Sequence, residues 1–257
     1  MKERFRRSVH KPLLIPAMKT LAALLLLTLS AQAAVTLPAT FSDHMVLQSD
    51  KPVTVWGTAD ANTEVTVAVA GQKKTTRADA EGKWSLKLDA LTASAEPLTL
   101  TVGDKTINDV LIGEVWLGSG QSNMAMAVQS AKDFEGTKAA ANLPQIRMFT
   151  EASAASPSAQ TVGKGTWVVC TSETVGRFSA TAFFFGRTLH AALRTPVGLI
   201  NSSVGGTTIE SWISPEAQQA SKELKPFFAA TKQADAQFDE EKTKAAYDRQ
   251  VLQWTAQ

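Results

Sequence analysis

The chain of 257 residues has a single cysteine, Cys170, and only three histidines. One cysteine excludes an intrachain disulfide and any zinc site built from several thiolates. Long apolar runs are also missing: a membrane-spanning helix needs about 20 such residues, and no stretch reaches that length. Neither sign of charge is in real excess, with 26 Lys and Arg against 24 Asp and Glu. Residues 1–33 hold six of the basic residues and one acid, so the remaining 224 residues carry 20 basic and 23 acidic groups, a net of −3. A body of that charge lacks the electrostatic footprint of a nucleic-acid binder. What is present, 44% hydrophobic and 19% charged residues, is ordinary globular composition and excludes a disordered, collagen-like or coiled-coil chain.

Residues 1–33 read as an address. Basic residues from Lys2 to Lys19 precede the nine-residue run Leu21–Leu29, and Ser30-Ala-Gln-Ala33 follows with small residues at Ala31 and Ala33. That order is the one a secretory signal peptide has, with cleavage after Ala33. Met18-Lys19-Thr20 before the same run makes a shorter signal of its own. The expectation is a secreted or periplasmic protein without a membrane span once the signal is removed.

Residues 34–110 read as a β-sandwich domain. Val53–Trp56, Glu64–Val69, Lys83–Leu88 and Leu98–Val102 alternate with period two, and turn chemistry at Ala70-Gly71, Asp79–Gly82 and Gly103-Asp104 separates them. His44 in Phe41-Ser-Asp-His-Met-Val-Leu-Gln48 is its one titratable group of interest, read as a turn residue before a strand. From residue 111 the pattern becomes α/β. Val110–Leu117 is nearly all apolar, as in a strand buried on both faces. Gln145–Thr150 and Val197–Ile200 are further strand candidates. Ser179–Arg194 has helical period, with Ala182, Phe185, Leu189 and Ala192 or Leu193 on one side. The expected architecture over 111–213 is a doubly wound sheet, whose ligands bind beyond the carboxyl ends of its strands. Residues 214–257 read as helical, with Ser214 as cap, Pro215 in the first turn, and one possible stripe through Phe227, Ala234, Phe238, Ala245 and Leu252.

Gly118-Ser-Gly-Gln-Ser122-Asn-Met124 follows the apolar strand directly. A hydroxyl at such a turn can project from a sheet edge beside backbone N–H groups, which is what acyl transfer requires. The segment does not match the Gly-x-Ser-x-Gly elbow, because Met124 holds the last position, nor a phosphate loop, because no Gly-Lys-Ser/Thr follows. A plain structural turn is the alternative these residues leave open.

Gly113-Glu-Val-Trp-Leu-Gly-Ser-Gly-Gln-Ser-Asn-Met124 resembles the nucleophile block of the sialate O-acetylesterase family, SGNH-type carbohydrate esterases. Phe41–Gln48, Phe183-Phe-Phe-Gly-Arg187 and Val197–Trp212 resemble other blocks of that family in the same order. The resemblance implies a flavodoxin-like hydrolase core, Ser122 as nucleophile, and the Ser122 N–H with an N–H from Gly205 or Gly206 as oxyanion donors. It implies an O-acetylated carbohydrate as substrate and no metal or organic cofactor. The family also carries an oxyanion asparagine in a Gly-Glu-Ser-Asn-like block and a late Asp-x-x-His pair, and neither block occurs here. His190 lies within the expected helix, before the place of the family's base. The expectation is therefore an N-terminal fragment, with the core incomplete over 111–213 and a helical insert cut within 214–257, that has little turnover as it stands. The alternative is a non-catalytic carbohydrate-binding or structural module.

Overall fold

In the computed structural model, which describes residues 33–152, 156 and 158–256, strands alone precede residue 121, and helices and strands alternate after it until helices close the chain. Apart from Ala33, the expected signal peptide lies outside the described residues. Strands β1 (Val35–Thr36), β2 (Val46–Gln48), β3 (Val53–Ala59), β4 (Glu64–Val69), β5 (Gln72–Arg77), β6 (Lys83–Leu88) and β7 (Ser94–Val102) lead into the long β8 (Lys105–Gly120). β1, β3 and β6 form one sheet in the order β1-β3-β6, while β7, β4 and β5 extend in turn from one edge of β8.

The period-two pattern does what its chemistry dictates. Val53 and Val55 of β3, Val65, Val67 and Val69 of β4, Trp84 and Leu88 of β6, and Leu100 and Val102 of β7 share one apolar core. Each such aliphatic side chain, fully buried, favours the fold by about 1.5–3 kcal/mol. β5 is different. Its sequence, Gln-Lys-Lys-Thr-Thr-Arg, has no apolar residue, yet it pairs with β4 along its whole length after the tight Ala70-Gly71 turn. It is a charged edge strand, and its composition hides it.

After β8 come α1 (Ser122–Ala125), α2 (Phe134–Ala139), β9 (Leu143–Thr150), β10 (Trp167–Cys170), α3 (Ala180–Leu193), β11 (Val197–Ser203), α4 (Pro215–Ala220), α5 (Lys225–Gln237) and α6 (Glu240–Thr255). The sheet continues from β8 through β11 and β9 to β10. β8, β11 and β9 run parallel, whereas β10 adds antiparallel to β9, so the sheet is mixed rather than purely parallel. The architecture is mixed α/β, as expected. A second core gathers Ile146, Met148, Phe178, Phe183, Val197 and Leu199.

The change of character expected at residue 111 falls inside β8 instead of in a linker. Up to Ile112 this strand pairs with β7 on one edge, and β2 lies on the other from Leu111 to Gly113. From Glu114 to Gly120, β11 replaces β2. Arg147 of β9, only 5% exposed, ties the two halves together. Its guanidinium donates to both carboxylate oxygens of Asp109 at 2.6 and 3.0 Å, to the His44 carbonyl at 3.3 Å and to the Pro144 carbonyl at 2.8 Å.

Two helical details depart from the sequence reading. α3 buries Ala180, Ala182, Phe183 and Gly186, while Phe185 and Leu193, expected inward, are 44% and 53% exposed. Three consecutive phenylalanines leave the phase of the stripe open, and packing on β11 selects Phe183. The expected stripe of the tail is not buried: α5 and α6 contain no buried residue, and the helix breaks at Phe238, where the Asp239 carboxylate caps α6 by accepting from the Lys242 N–H. α4 follows its local signals, with the Ser214 hydroxyl accepting from the Ala217 N–H. No helix among the described residues is long and apolar enough to cross a membrane.

Candidate active site

The parallel pair β8 and β11 delivers two turns to one place. β8 ends at Gly120, whose φ of +132° is a conformation that a side chain resists. The chain turns through Gln121, and Ser122 opens α1 at the carboxyl end of the strand. The Gln121 carbonyl accepts from the N–H groups of Met124 and Ala125, both at 2.9 Å. Side chains from the start of α3 fix the turn from outside: the Ser179 hydroxyl donates to the Met124 carbonyl at 2.6 Å, and the Thr181 hydroxyl to the Asn123 carbonyl at 2.8 Å.

β11 runs in register with β8 until Ser203 stands opposite Gly120, and the Val204 N–H then donates to the Gly120 carbonyl at 3.0 Å. The next residue meets the serine. A β-carbon at position 205 would stand 3.6 Å from Ser122 Oγ, whereas one at 206 would have nothing within 4 Å. The two glycines thus differ: Gly205 borders the hydroxyl, and Gly206, with φ of +81°, makes the bend. Two side chains that the sequence did not mark as positioning groups hold this bend, and a third holds the turn that follows it. The Thr207 hydroxyl donates to the Val204 carbonyl at 2.8 Å, and the Trp212 indole N–H to Thr207 Oγ1 at 2.9 Å. The Gln218 amide donates to the carbonyls of Glu210 and Ile213, each at 2.7 Å. The presence of Thr207 and Trp212 in the same block as the glycines was the available signal.

Gln121, Ser122, Gly205 and Gly206 are all exposed, so the site is open to a large substrate. The Ser122 N–H, expected as an oxyanion donor, is engaged: it donates to the side-chain oxygen of Gln121 at 2.9 Å. An anion formed at Ser122 must displace that amide to reach the donor.

Neither described histidine reaches the serine. His44 does stand in a turn, at φ of 69°, with Nδ1 2.6 Å from Asp109 Oδ2. Such a pair has the look of a base and its orienting carboxylate. Asp109, however, lies 11 residues before Gly120 along β8, roughly 35 Å at the rise of a strand. Asp109 is held below the usual carboxylate range, first by the Arg147 guanidinium and then by the hydrogen bond from His44, against an opposing effect of burial. His190 sits in the last turn of α3, at the opposite end from Ser179, with Nδ1 2.8 Å from the Thr195 carbonyl. Among the described residues no group of three or more His, Cys, Asp or Glu side chains could hold a metal ion.

Residues 112–246 match the family described as carbohydrate esterase, sialic acid-specific acetylesterase. The chain is 32% identical over 207 residues to the sialate O-acetylesterase of Homo sapiens, covering 70% of this chain and 39% of that protein. To the sialate O-acetylesterase of Rattus norvegicus it is 31% identical over 212 residues, covering 69% and 37% respectively. It thus spans less than two fifths of the length of these relatives. A solved carbohydrate acetylesterase from Xanthomonas citri superposes with a TM-score of 0.67 at 36% identity, over 71% of this chain and 43% of that one. The mixed α/β architecture is consistent with an SGNH-like esterase fold. With more than half of its residues inside the matched region, the chain belongs to the family of sialic acid-specific carbohydrate acetylesterases.

Proposed function

We propose that Ser122 is the nucleophile for hydrolysis of acetyl esters on carbohydrates, with sialic acid the first substrate to test and acetylated plant polysaccharide the second. The observation that carries this reading is the approach of Gly205 to Ser122 Oγ at the carboxyl ends of two adjacent parallel strands. Ser122 Oγ attacks the acetyl carbon and loses its proton to a base, and the carbonyl electron pair moves onto oxygen. The N–H groups of Ser122 and Gly205 receive that charge, the former after release from Gln121. Losing one such donor typically costs on the order of 10²–10³ in rate. As the carbonyl re-forms, the sugar oxygen leaves and takes up a proton, so Ser122 is acetylated. Water then attacks the acyl-enzyme, releasing acetate and restoring the hydroxyl.

The step that needs help is the first. A serine without a partnered base is a weak nucleophile at neutral pH. Both described histidines are engaged elsewhere, and no Asp-x-x-His pair follows Ser122 in the sequence. The chain as it stands is therefore proposed to turn over little. The leader with its Ala31 and Ala33 small residues supports export, to the periplasm or outside the cell. The distance of both histidines from Ser122 also favours the second reading, a carbohydrate-binding module with an idle serine.

Two measurements separate these readings. Residues 34–257 should not hydrolyse p-nitrophenyl acetate in a Ser122-dependent way; a robust rate abolished by Ser122→Ala would reveal a base other than His44 and His190. A fluorophosphonate should nevertheless form an adduct located by mass spectrometry on Ser122 and lost in Ser122→Ala. No adduct there at saturating reagent overturns the nucleophile and leaves the binding module.

A further inference from the structure

A second groove lies on the sheet formed by β1, β3 and β6, has a volume of about 730 Å³, and shares no residue with the Ser122 site. We infer that it binds a neutral pyranose residue of a glycan chain, with Trp56 as the stacking platform.

The alternation of β3 places Val53 and Val55 in the core and turns Thr54 and Trp56 outward. Trp56 is 43% exposed, unusual for the largest apolar side chain on a sheet with a well-filled core behind it. Its ring is fixed. Phe41, itself buried, meets it edge-on with centroids 4.9 Å apart at 82°. An aromatic face held ready in this way can receive the C–H face of a sugar without first being ordered.

The surroundings suit hydroxyl groups. Across the strand pair Trp56 stands opposite Ser85, and Thr58 opposite Lys83. Gln160 and Thr161 form the facing wall, and that loop is tied down by the Ala39 N–H, which donates to the Val162 carbonyl at 2.7 Å. An aromatic floor with a few polar groups at its rim is the usual composition of a small-ligand site.

Charge selects the class of sugar. Asp79, Glu81 and a single lysine, Lys83, line the groove together from one turn. Asp79 Oδ1 is already used, accepting from the N–H groups of Glu81 and Lys83 at 3.0 and 2.7 Å. The net negative rim disfavours an anionic sugar and leaves a neutral one. The groove would hold a glycan chain while the open site at Ser122 meets another part of it, but binding at Trp56 does not depend on any chemistry at Ser122.

The test is calorimetric titration of the full chain with cellohexaose and xylohexaose, two neutral β-linked oligosaccharides, and with N-acetylneuraminic acid as the anionic comparison. The expected result is binding of a neutral oligosaccharide in roughly the millimolar range, weakened about tenfold or more by Trp56→Ala, less by Trp56→Phe, and unchanged in Ser122→Ala. Ser85→Arg, at an exposed position beside the platform, should close the groove without touching the core and guards against a misfolded Trp56 variant. Three results would overturn the inference: no binding of either neutral oligosaccharide up to about 10 mM, binding indifferent to both Trp56→Ala and Ser85→Arg, or preferential binding of N-acetylneuraminic acid through Trp56. Loss of binding in Ser122→Ala would likewise overturn it, by moving the sugar to the esterase site.

Discussion

Arg147 grips Asp109 by both carboxylate oxygens, at 2.6 and 3.0 Å, and so fastens β9 to the first half of β8 although β11 and β2 lie between them. The arginine is almost fully buried, and its other N–H groups also find acceptors. Removing Arg147 leaves Asp109 with His44 as its remaining partner and takes a donor from the His44 and Pro144 carbonyls. Arg147→Ala should destabilise the fold by about 3 kcal/mol, and Arg147→Lys should recover only part of this, since an ammonium cannot match the fork. Urea unfolding of the three proteins measures both differences.

The same pair sets a pH dependence. Asp109 titrates lower in the folded protein than in the unfolded chain, mainly because of Arg147 and then His44. A depressed carboxylate stabilises the fold above its unfolded value, about 3.9, and that contribution fades as pH falls from there through the folded value. The urea midpoint should therefore fall with acid below about pH 4, and Asp109→Asn should flatten that limb while lowering stability at neutral pH. An unchanged acid limb in Asp109→Asn would contradict the assignment.

At the serine, two substitutions should act in opposite directions. Gly205→Ala places a methyl 3.6 Å from Ser122 Oγ, an ordinary contact that the fold tolerates but that fills the space an acyl oxygen needs. Fluorophosphonate labelling of Ser122 should slow by on the order of 100-fold, with the melting temperature little changed. Gln121→Ala frees the Ser122 N–H from its side-chain acceptor and spares about 1 kcal/mol of displacement. Labelling should then quicken, about fivefold.

Cys170 is fully buried, and burial pushes its thiol up to about 12. It is not a reactive thiol in the folded state. An aromatic disulfide reagent should report no free thiol at pH 8 until denaturant is added, and then one per chain.

Much of this was legible because local chemistry and global packing agree. The alternation in Lys83–Leu88 fixes β6 to the residue, and Ser214-Pro-Glu marks the start of α4. The serine and glycine blocks are brought together because each ends a strand of a parallel pair. What stayed hidden has equally physical reasons. β5 has no apolar residue to betray a strand that is held by backbone pairing and by polar side-chain bonds such as Lys74 to Asp89. The Arg147–Asp109–His44 cluster joins residues 38 and 65 positions apart, a distance at which spacing carries no signal. The choice of Gly205 over Gly206 depends on which one the β11 register carries to the serine, and sequence cannot count that register.

β8 gives Ile107, Val110 and Ile112 to the first apolar core and runs on without a break to Gly120. Fraying at one end of it strips hydrogen-bond partners from the strand that seats Ser122 at the other. Loosening around β7 or β2 is thus felt at the nucleophile turn, and the aim of that hydroxyl is hostage to the integrity of sheet residues more than twenty ångströms behind it.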